Sequence, residues 1–267
     1  MIILKNKEQI DQIKKNGVIL REAVAKAIAA SKSGVTTGEL DQIIEDHILS
    51  CGAIPTFKGY GASGNRKGFP ASSCQSVNDV LVHGIPTKEL KIHDGDIISI
   101  DVGVTKGGMI ADSCFSYGIG YIDPKYSKLI KAAHDITMYG VSICKPGLRI
   151  HDLARLIAEF AESLGPYKTM CDLYGHGVGA SLHEDPKIPY VRTNLFKEFV
   201  PNPRLEEGMV ITIEPVIVFS SCDQKYYEDA DRWTLRTTDK SYSAQFEHAI
   251  AITSDGNEIL TGEFPNV

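Results

Sequence analysis

The stretch IISIDVGVTKGGMIAD, Ile97–Asp112, decides how the rest of the chain is read. Ile98, Ile100 and Val102 alternate with Ser99, Asp101 and Gly103, the period-two pattern of a strand with one apolar face. Lys106-Gly107-Gly108 supplies a tight turn, and Met109–Asp112 runs back as a second strand. With Lys106 and Gly107 as the turn residues, Val104 faces Met109 and Asp101 faces Asp112. Directly opposed side chains have Cβ atoms about 4.5–5.5 Å apart, so two carboxylates there repel unless positive charge lies between them. A pair of divalent cations about 3.5–4 Å apart fits such a gap. The plainer alternative makes one Asp a surface residue beside the turn, with the register differing by one. This stretch alone leaves both open.

Composition narrows the field. Hydrophobic residues are 43% and charged residues 23% of 267, ordinary for a soluble globular chain able to bury a large core. A net charge of −6 and a pI near 5.8 argue against nucleic acid or an anionic membrane as main partner. The first residues, Met1-Ile2-Ile3-Leu4-Lys5-Asn6-Lys7-Glu8, turn polar too early for a signal peptide. No apolar run reaches the ~18 residues of a membrane span. Six cysteines (Cys51, Cys74, Cys114, Cys144, Cys171, Cys222) show no CxxC spacing and read as free thiols in a reducing compartment. A cytoplasmic protein is expected.

Outward from the hairpin, apolar periodicity predicts a helix from about Lys7 to Ser31 and a second one opened by the capping box Thr36–Glu39 and stopped at Gly52. A loop with four glycines, Gly59–Gly68, and a strand, Cys74–Val82, lead into the hairpin. After Asp123-Pro124 the pattern restarts: helices over Tyr126–Ile143 and Ile150–Leu164, a Gly-rich segment Tyr174–Gly179, then Gly208–Glu214 in the shape of Gly95–Asp101. Gly34 matches Gly147, Leu40 matches Leu153, Ile44 matches Ile157, Gly95 matches Gly208 and Asp101 matches Glu214, always 113 residues apart. Chance supplies one such match more readily than a constant offset. The pattern predicts an α+β fold of two pseudo-symmetric halves, roughly 1–123 and 124–267, in one domain. Each half is a helix pair followed by antiparallel strands around a central sheet. A returning strand, Ala244–Thr253, offers Glu247 as the mate of Asp112, and the polar run Ser220–Asp231 reads as a solvated loop.

Asp101, Asp112, Glu214 and Glu247 each sit among β-branched residues, which a solvated face does not explain. His83, His176 and His183 lie nearby in sequence motifs, and glycines flank His176, where backbone can approach an ion closely. Each histidine alone reads as a satisfied polar residue. Joined to four acids at repeat-related strand ends, they read as a metal site.

At these residues the chain resembles the methionine aminopeptidases, in the short bacterial form of type I, within the pita-bread metallopeptidases. The resemblance runs through VNDVLVHGIP (Val77–Pro86), DGDIISIDVG (Asp94–Gly103), ADSCF (Ala111–Phe115), GHGVG and LHEDP (Gly175–Pro186), EEGMVITIEPV (Glu206–Val216) and SAQFEHAIAIT (Ser243–Thr253). It implies removal of the initiator methionine from nascent proteins with a small second residue, by a monomer, and leaves ribosome contact open. It implies two divalent metal ions (Co, Mn, Fe or Zn), with Asp112 and Glu247 bridging, His176 and Glu214 completing one shell and Asp101 serving the other. Glu214 is then also the proton acceptor for the attacking water. His183 holds or polarises the peptide, and His83 stabilises the intermediate or shuttles protons. Tyr60, Phe69, Cys74, His83, Leu182 and Trp233 would wall the methionine pocket, with His183 beside it. Asn78, Val80 and Ser243 match positions that hold a monovalent cation. Two features depart from the family pattern: Leu182 stands where an aromatic residue is usual, and the Gly59–Gly68 loop is long. A Xaa-Pro-cleaving peptidase of the same fold usually adds an N-terminal domain, and a metal-free binding scaffold has no need of four facing carboxylates. A two-metal phosphoesterase would need a basic phosphate clamp, which the sequence does not place.

Overall fold

The computed structural model describes residues 1–64, 67–191, 200–222 and 224–263, so Asn65 and Arg66 of the glycine loop and Asp223 of the polar run lie outside the described residues. The chain opens with α1 (Lys7–Ala30) and α2 (Thr37–Ser50). Both start with reciprocal capping boxes, Asn6 with Gln9 and Thr36 with Glu39, which satisfy otherwise orphaned N–H groups. Then come β1 (Ile54–Pro55), β2 (Ser73–Val77), β3 (Val80–Val82), β4 (Ile97–Lys106) and β5 (Met109–Gly118). The second half runs α3 (Pro124–Ile143), α4 (Ile150–Ser163), β6 (Tyr167–Thr169), β7 (Gly175–Gly177), β8 (Glu184–Ile188), β9 (Val210–Ile213) and β10 (Val216–Phe219). It continues through β11 (Tyr226–Glu228), β12 (Leu235–Thr237), β13 (Ser243–Gln245), β14 (His248–Ile252) and β15 (Asn257–Ile259).

The repeat survives into three dimensions. Shifted by 113 residues, α2 coincides end to end with α4, and the first residue of β4 falls on the first of β9. Isolated bridges correspond as well, Thr36 with Lys91 and Arg149 with Arg204. Gly34 N–H donates to Ile92 O just as Gly147 N–H donates to Leu205 O. One edge of β4 pairs with β1 and β2 in succession and the other with β5. The second half builds the five-stranded order β15-β14-β9-β7-β8. Ile98, Ile100 and Val102 are wholly buried, and one apolar core joins them to Ile13 and Leu20 of α1 and to Ile211, Ile213, Ile136 and Ile157 of the second half. The halves meet where Glu247 N–H donates to Cys114 O (2.9 Å) and Gln245 N–H to Ser116 Oγ (2.8 Å), which draws the segment between β13 and β14 against β5.

The hairpin register differs from the sequence expectation. Lys106 pairs with Met109, and the turn residues are Gly107 and Gly108 at φ 62° and 73°. A two-residue turn of this hand needs positive φ at both positions, which two glycines adopt freely and Lys106 does not. Asp101 therefore lies opposite Cys114, and Asp112 opposite Gly103. A shift of two keeps both acids on one sheet face, as diagonal rather than facing neighbours.

Three smaller expectations also change. The strand expected over Cys74–Val82 breaks at Asn78, whose φ of 58° turns the chain out of β2 into β3. The return strand splits around Phe246 and Glu247 into β13 and β14. The polar run is only partly loop, because β11 pairs with β12, which pairs with β3.

The turn is tied down from α1, where the buried Asn16 side chain donates to the carbonyls of Lys106 and Met109. One residue further on, a Cβ at Gly17 would stand 2.2 Å from Leu260 O. Gly17→Ala is therefore expected to lose about 1–3 kcal/mol to overpacking, against a helix-propensity gain of about 1 kcal/mol. The check is a lower denaturation midpoint at unchanged slope; a midpoint at or above that of the native chain would show the backbone contact to be soft.

Candidate active site

Four strand segments converge on one cavity of about 140 Å³. β4 brings Asp101, β5 brings Asp112, the end of β9 brings Glu214, and the β13–β14 break brings Glu247; β7 adds His176. Asp112 Oδ1, Glu247 Oε1 and Asp101 Oδ1 are buried without a hydrogen-bond partner among the described residues. A buried carboxylate oxygen left so costs several kcal/mol unless a cation or proton meets it, by the usual ~2–7 kcal/mol for an unpaired polar group. Burial, then mutual repulsion, pushes Asp112 and Glu247 well above the ordinary carboxylate range. Asp101 rises to about 7 through burial. Glu214 rises to about 8 through burial and the neighbouring Asp101 charge, against the opposing pull of its bond from Thr212.

His176 is oriented as a ligand. Its Nδ1 lies 3.0 Å from Gly177 O, which places the ring proton there and leaves the Nε2 lone pair facing Glu214 Oε1 (3.3 Å) and Asp112 Oδ2 (3.7 Å). Burial holds its pKa down at about 3, so the lone pair is available at neutral pH. One ligand atom each from Asp112, His176 and Glu247 lies within 4.8 Å of the others. Hard oxygens with one imidazole suit a divalent first-row cation. The residues fit the metal that the donor set calls for. A second trio, Glu22, His47 and Cys51, is built differently. There His47 Nε2 faces Glu22 (3.2 Å) and its buried Nδ1 has no partner, so the ring proton belongs on Nε2, in a hydrogen-bonding geometry rather than a ligand one.

Supporting groups were not legible in sequence. Thr212 Oγ1 lies 2.6 Å from Glu214 Oε1, Gln245 Nε2 lies 3.4 Å from Oε2, and Glu214 N–H donates to Tyr190 Oη at 2.9 Å. Thr212 and Gln245 stand two residues before Glu214 and Glu247, a spacing that hints at a shared face; Tyr190 gives no such signal. Its approach depends on Gly175, where a Cβ would stand 2.2 Å from the phenol oxygen.

The expected pocket residues gather on the same cavity: Tyr60, Phe69, Cys74, Leu182 and Trp233 line it with His83 and His183. Phe69 meets Trp233 edge-on at 5.4 Å, and His83 lies edge-on to Trp233 at 6.5 Å. The sequence missed Phe57, which packs edge-on against Phe69. His83 and His183 are pushed below the usual imidazole range, chiefly by burial; both residues keep solvent exposure, which limits the effect. Asn78, Val80 and Ser243 also meet, with Ser243 N–H on Asn78 O and Ser243 Oγ on Val80 O.

Metallopeptidase family M24 matches residues 11–254, a span that contains every one of these side chains. The chain belongs to that family. It is 40% identical to the methionine aminopeptidase of Clostridium acetobutylicum over 98% of this chain and 99% of that one. To methionine aminopeptidase 1 of Bacillus subtilis it is 39% identical at the same coverage. The structure of methionine aminopeptidase from Thermotoga maritima superposes with a TM-score of 0.90 at 34% identity, covering 98% of this chain and 100% of that one. A prolidase from Pyrococcus horikoshii shares the fold at TM-score 0.75 and 22% identity, and this chain spans only 66% of it. The M24 chain described here is thus a metal-dependent aminopeptidase with the α+β pita-bread fold. Among its described residues no helix is long and apolar enough to cross a membrane.

Proposed function

We propose that the chain acts as a single catalytic domain over residues 1–267 and removes the initiator methionine from nascent proteins with a small second residue. The observation that carries this reading is the placement of an apolar cavity directly against the acids and His176. Phe57, Phe69, Leu182 and Trp233 offer the walls an unbranched thioether needs. Past Val82, His83 and His183 the site opens into a groove of about 690 Å³, wide enough for the rest of a peptide to leave.

Asp112, Glu247, His176, Glu214 and Asp101 would hold two divalent cations, Co, Mn, Fe or Zn by donor chemistry. Such ions, when bound, activate a water at neutral pH and polarise the peptide carbonyl. Glu214, aimed by Thr212 and Gln245, accepts the proton of the attacking water. His183 hydrogen-bonds the peptide, and His83 stabilises charge that develops on it. Asn78, Val80 and Ser243 would seat a monovalent cation away from the reacting bond. On this reading the protein is a cytoplasmic monomer working on nascent chains.

Chelator-stripped protein, given Mn, Fe, Co or Zn singly, is expected to release methionine from Met-Ala-Ser and to leave Met-Leu-Ser and a Xaa-Pro peptide intact. Cleavage of the Xaa-Pro peptide would replace the substrate class. Folded protein inert with every metal would favour a binding scaffold.

A further inference from the structure

We propose that Tyr60 is a positioning residue for His183: its phenol fixes the imidazole tautomer that carries the proton on Nε2, and so presents His183 to the peptide as a hydrogen-bond donor. The inference rests on the functional reading above and adds to it a residue that acts through the histidine.

Tyr60 Oη lies 2.5 Å from His183 Nδ1, with the ring centroids 5.3 Å apart. The phenol reaches this position from a pinned backbone. Tyr60 N–H donates to Phe57 O, Tyr60 O accepts from Phe69 N–H, and Gly59 N–H donates to Phe69 O. The segment around the histidine is anchored through its neighbours. Ser181 N–H donates to Glu184 Oε1, and Glu184 pairs with Lys5, both side chains being almost wholly buried at 5% and 2% exposure. These bonds fix the two stretches of backbone that carry the rings.

A neutral imidazole carries one ring proton, and two arrangements satisfy the contact: the phenol donates to a bare Nδ1, or Nδ1–H donates to the phenol oxygen. The first is stronger. A phenol O–H, ionising near ~10, is a far better donor than a neutral imidazole N–H, and the imine nitrogen is a better acceptor than a phenol oxygen conjugated with its ring. With Nδ1 occupied as acceptor, the proton resides on Nε2. That tautomer is the one an amide carbonyl gathering negative charge can use; its opposite would present a lone pair. A merely apolar pocket wall explains the ring of Tyr60 but gives no reason for the hydroxyl to meet His183.

The test is the ¹⁵N spectrum of histidine-labelled, zinc-loaded protein, with His183 assigned from the His183→Gln variant. His183 is expected as the Nε2–H tautomer in the native chain and as a mixture in Tyr60→Phe. Because the ring is kept, Tyr60→Phe should lower kcat for Met-Ala-Ser about three- to tenfold, the worth of one neutral hydrogen bond, with KM unchanged. Added to His183→Gln, it should lower kcat no further. An Nδ1–H tautomer in the native chain, a tautomer unmoved by Tyr60→Phe, or additive losses in the double variant would each overturn the proposal. The spectrum does not depend on turnover, so failure of every variant and of the native chain to cleave would sink the peptidase reading separately.

Discussion

Glu214→Gln is expected to fold as the native chain does and to turn over Met-Ala-Ser about 10²–10⁴-fold more slowly, the range for loss of a positioned general base. The substitution keeps the shape, the volume and an oxygen to accept from Thr212 Oγ1, which lies 2.6 Å from Glu214 Oε1. What it removes is the capacity to take a proton. That capacity is positioned: Thr212 Oγ1 and Gln245 Nε2 aim the carboxylate, and a bound cation would keep it ionised at neutral pH. Glu214 is also placed as a ligand, 3.3 Å from His176 Nε2, so the two roles must be separated. Calorimetric metal titration does this. A variant that binds cation with native stoichiometry yet turns over at the reduced rate has lost the base; one that loses cation has lost the ligand. Near-normal turnover in folded Glu214→Gln would remove this carboxylate from the mechanism.

Much of this site was legible because the repeat is rigid. The offset of 113 residues linking Asp101 to Glu214 in sequence is the same offset that superimposes α2 on α4, so helix ends and strand starts transferred from one half to the other. Register was less legible. Lys106-Gly107 and Gly107-Gly108 are both plausible turns on paper, and only positive φ at both positions selects the glycine pair. The error moved the facing partner of Asp101 from Asp112 to Cys114 but preserved the face, which is why the acid cluster survived it. Single side-chain contacts between segments distant in sequence were less legible still. Tyr190, two residues beyond β8, meets Glu214, and nothing in its neighbours marks it. Tyr60 and His183, 123 positions apart, meet only because both loops close over one cavity.

Stripping the divalent cations is expected to abolish turnover and to leave a chain whose stability falls as pH rises from about 6.5 to 8. The native carboxyls of Asp101 and Glu214 titrate near 7 and 8, and burial places Asp112 and Glu247 well above their ordinary range. In the unfolded chain all four are ionised above about pH 5. Across that window the stripped native state therefore binds more protons than the unfolded one, and its stability declines with pH. The buried His176, held near 3, works in the opposite sense, since its stability is lost as pH falls; that effect belongs below about 6.5, where the unfolded imidazole protonates. A bound cation replaces the protons, so the gain from metal should widen with pH. At a hundredfold excess over Kd it amounts to about 2.7 kcal/mol, or roughly 5–10 °C in Tm for a chain of this size. Asp112→Asn supplies the internal control. Removing one charge from the cluster should make the stripped protein more stable at pH 8 than the stripped native chain, while the gain on adding metal shrinks. A stripped native chain that grows more stable between pH 6.5 and 8 would mean that these acids are already paired by something other than a cation, and the site would have to be read again from its charges.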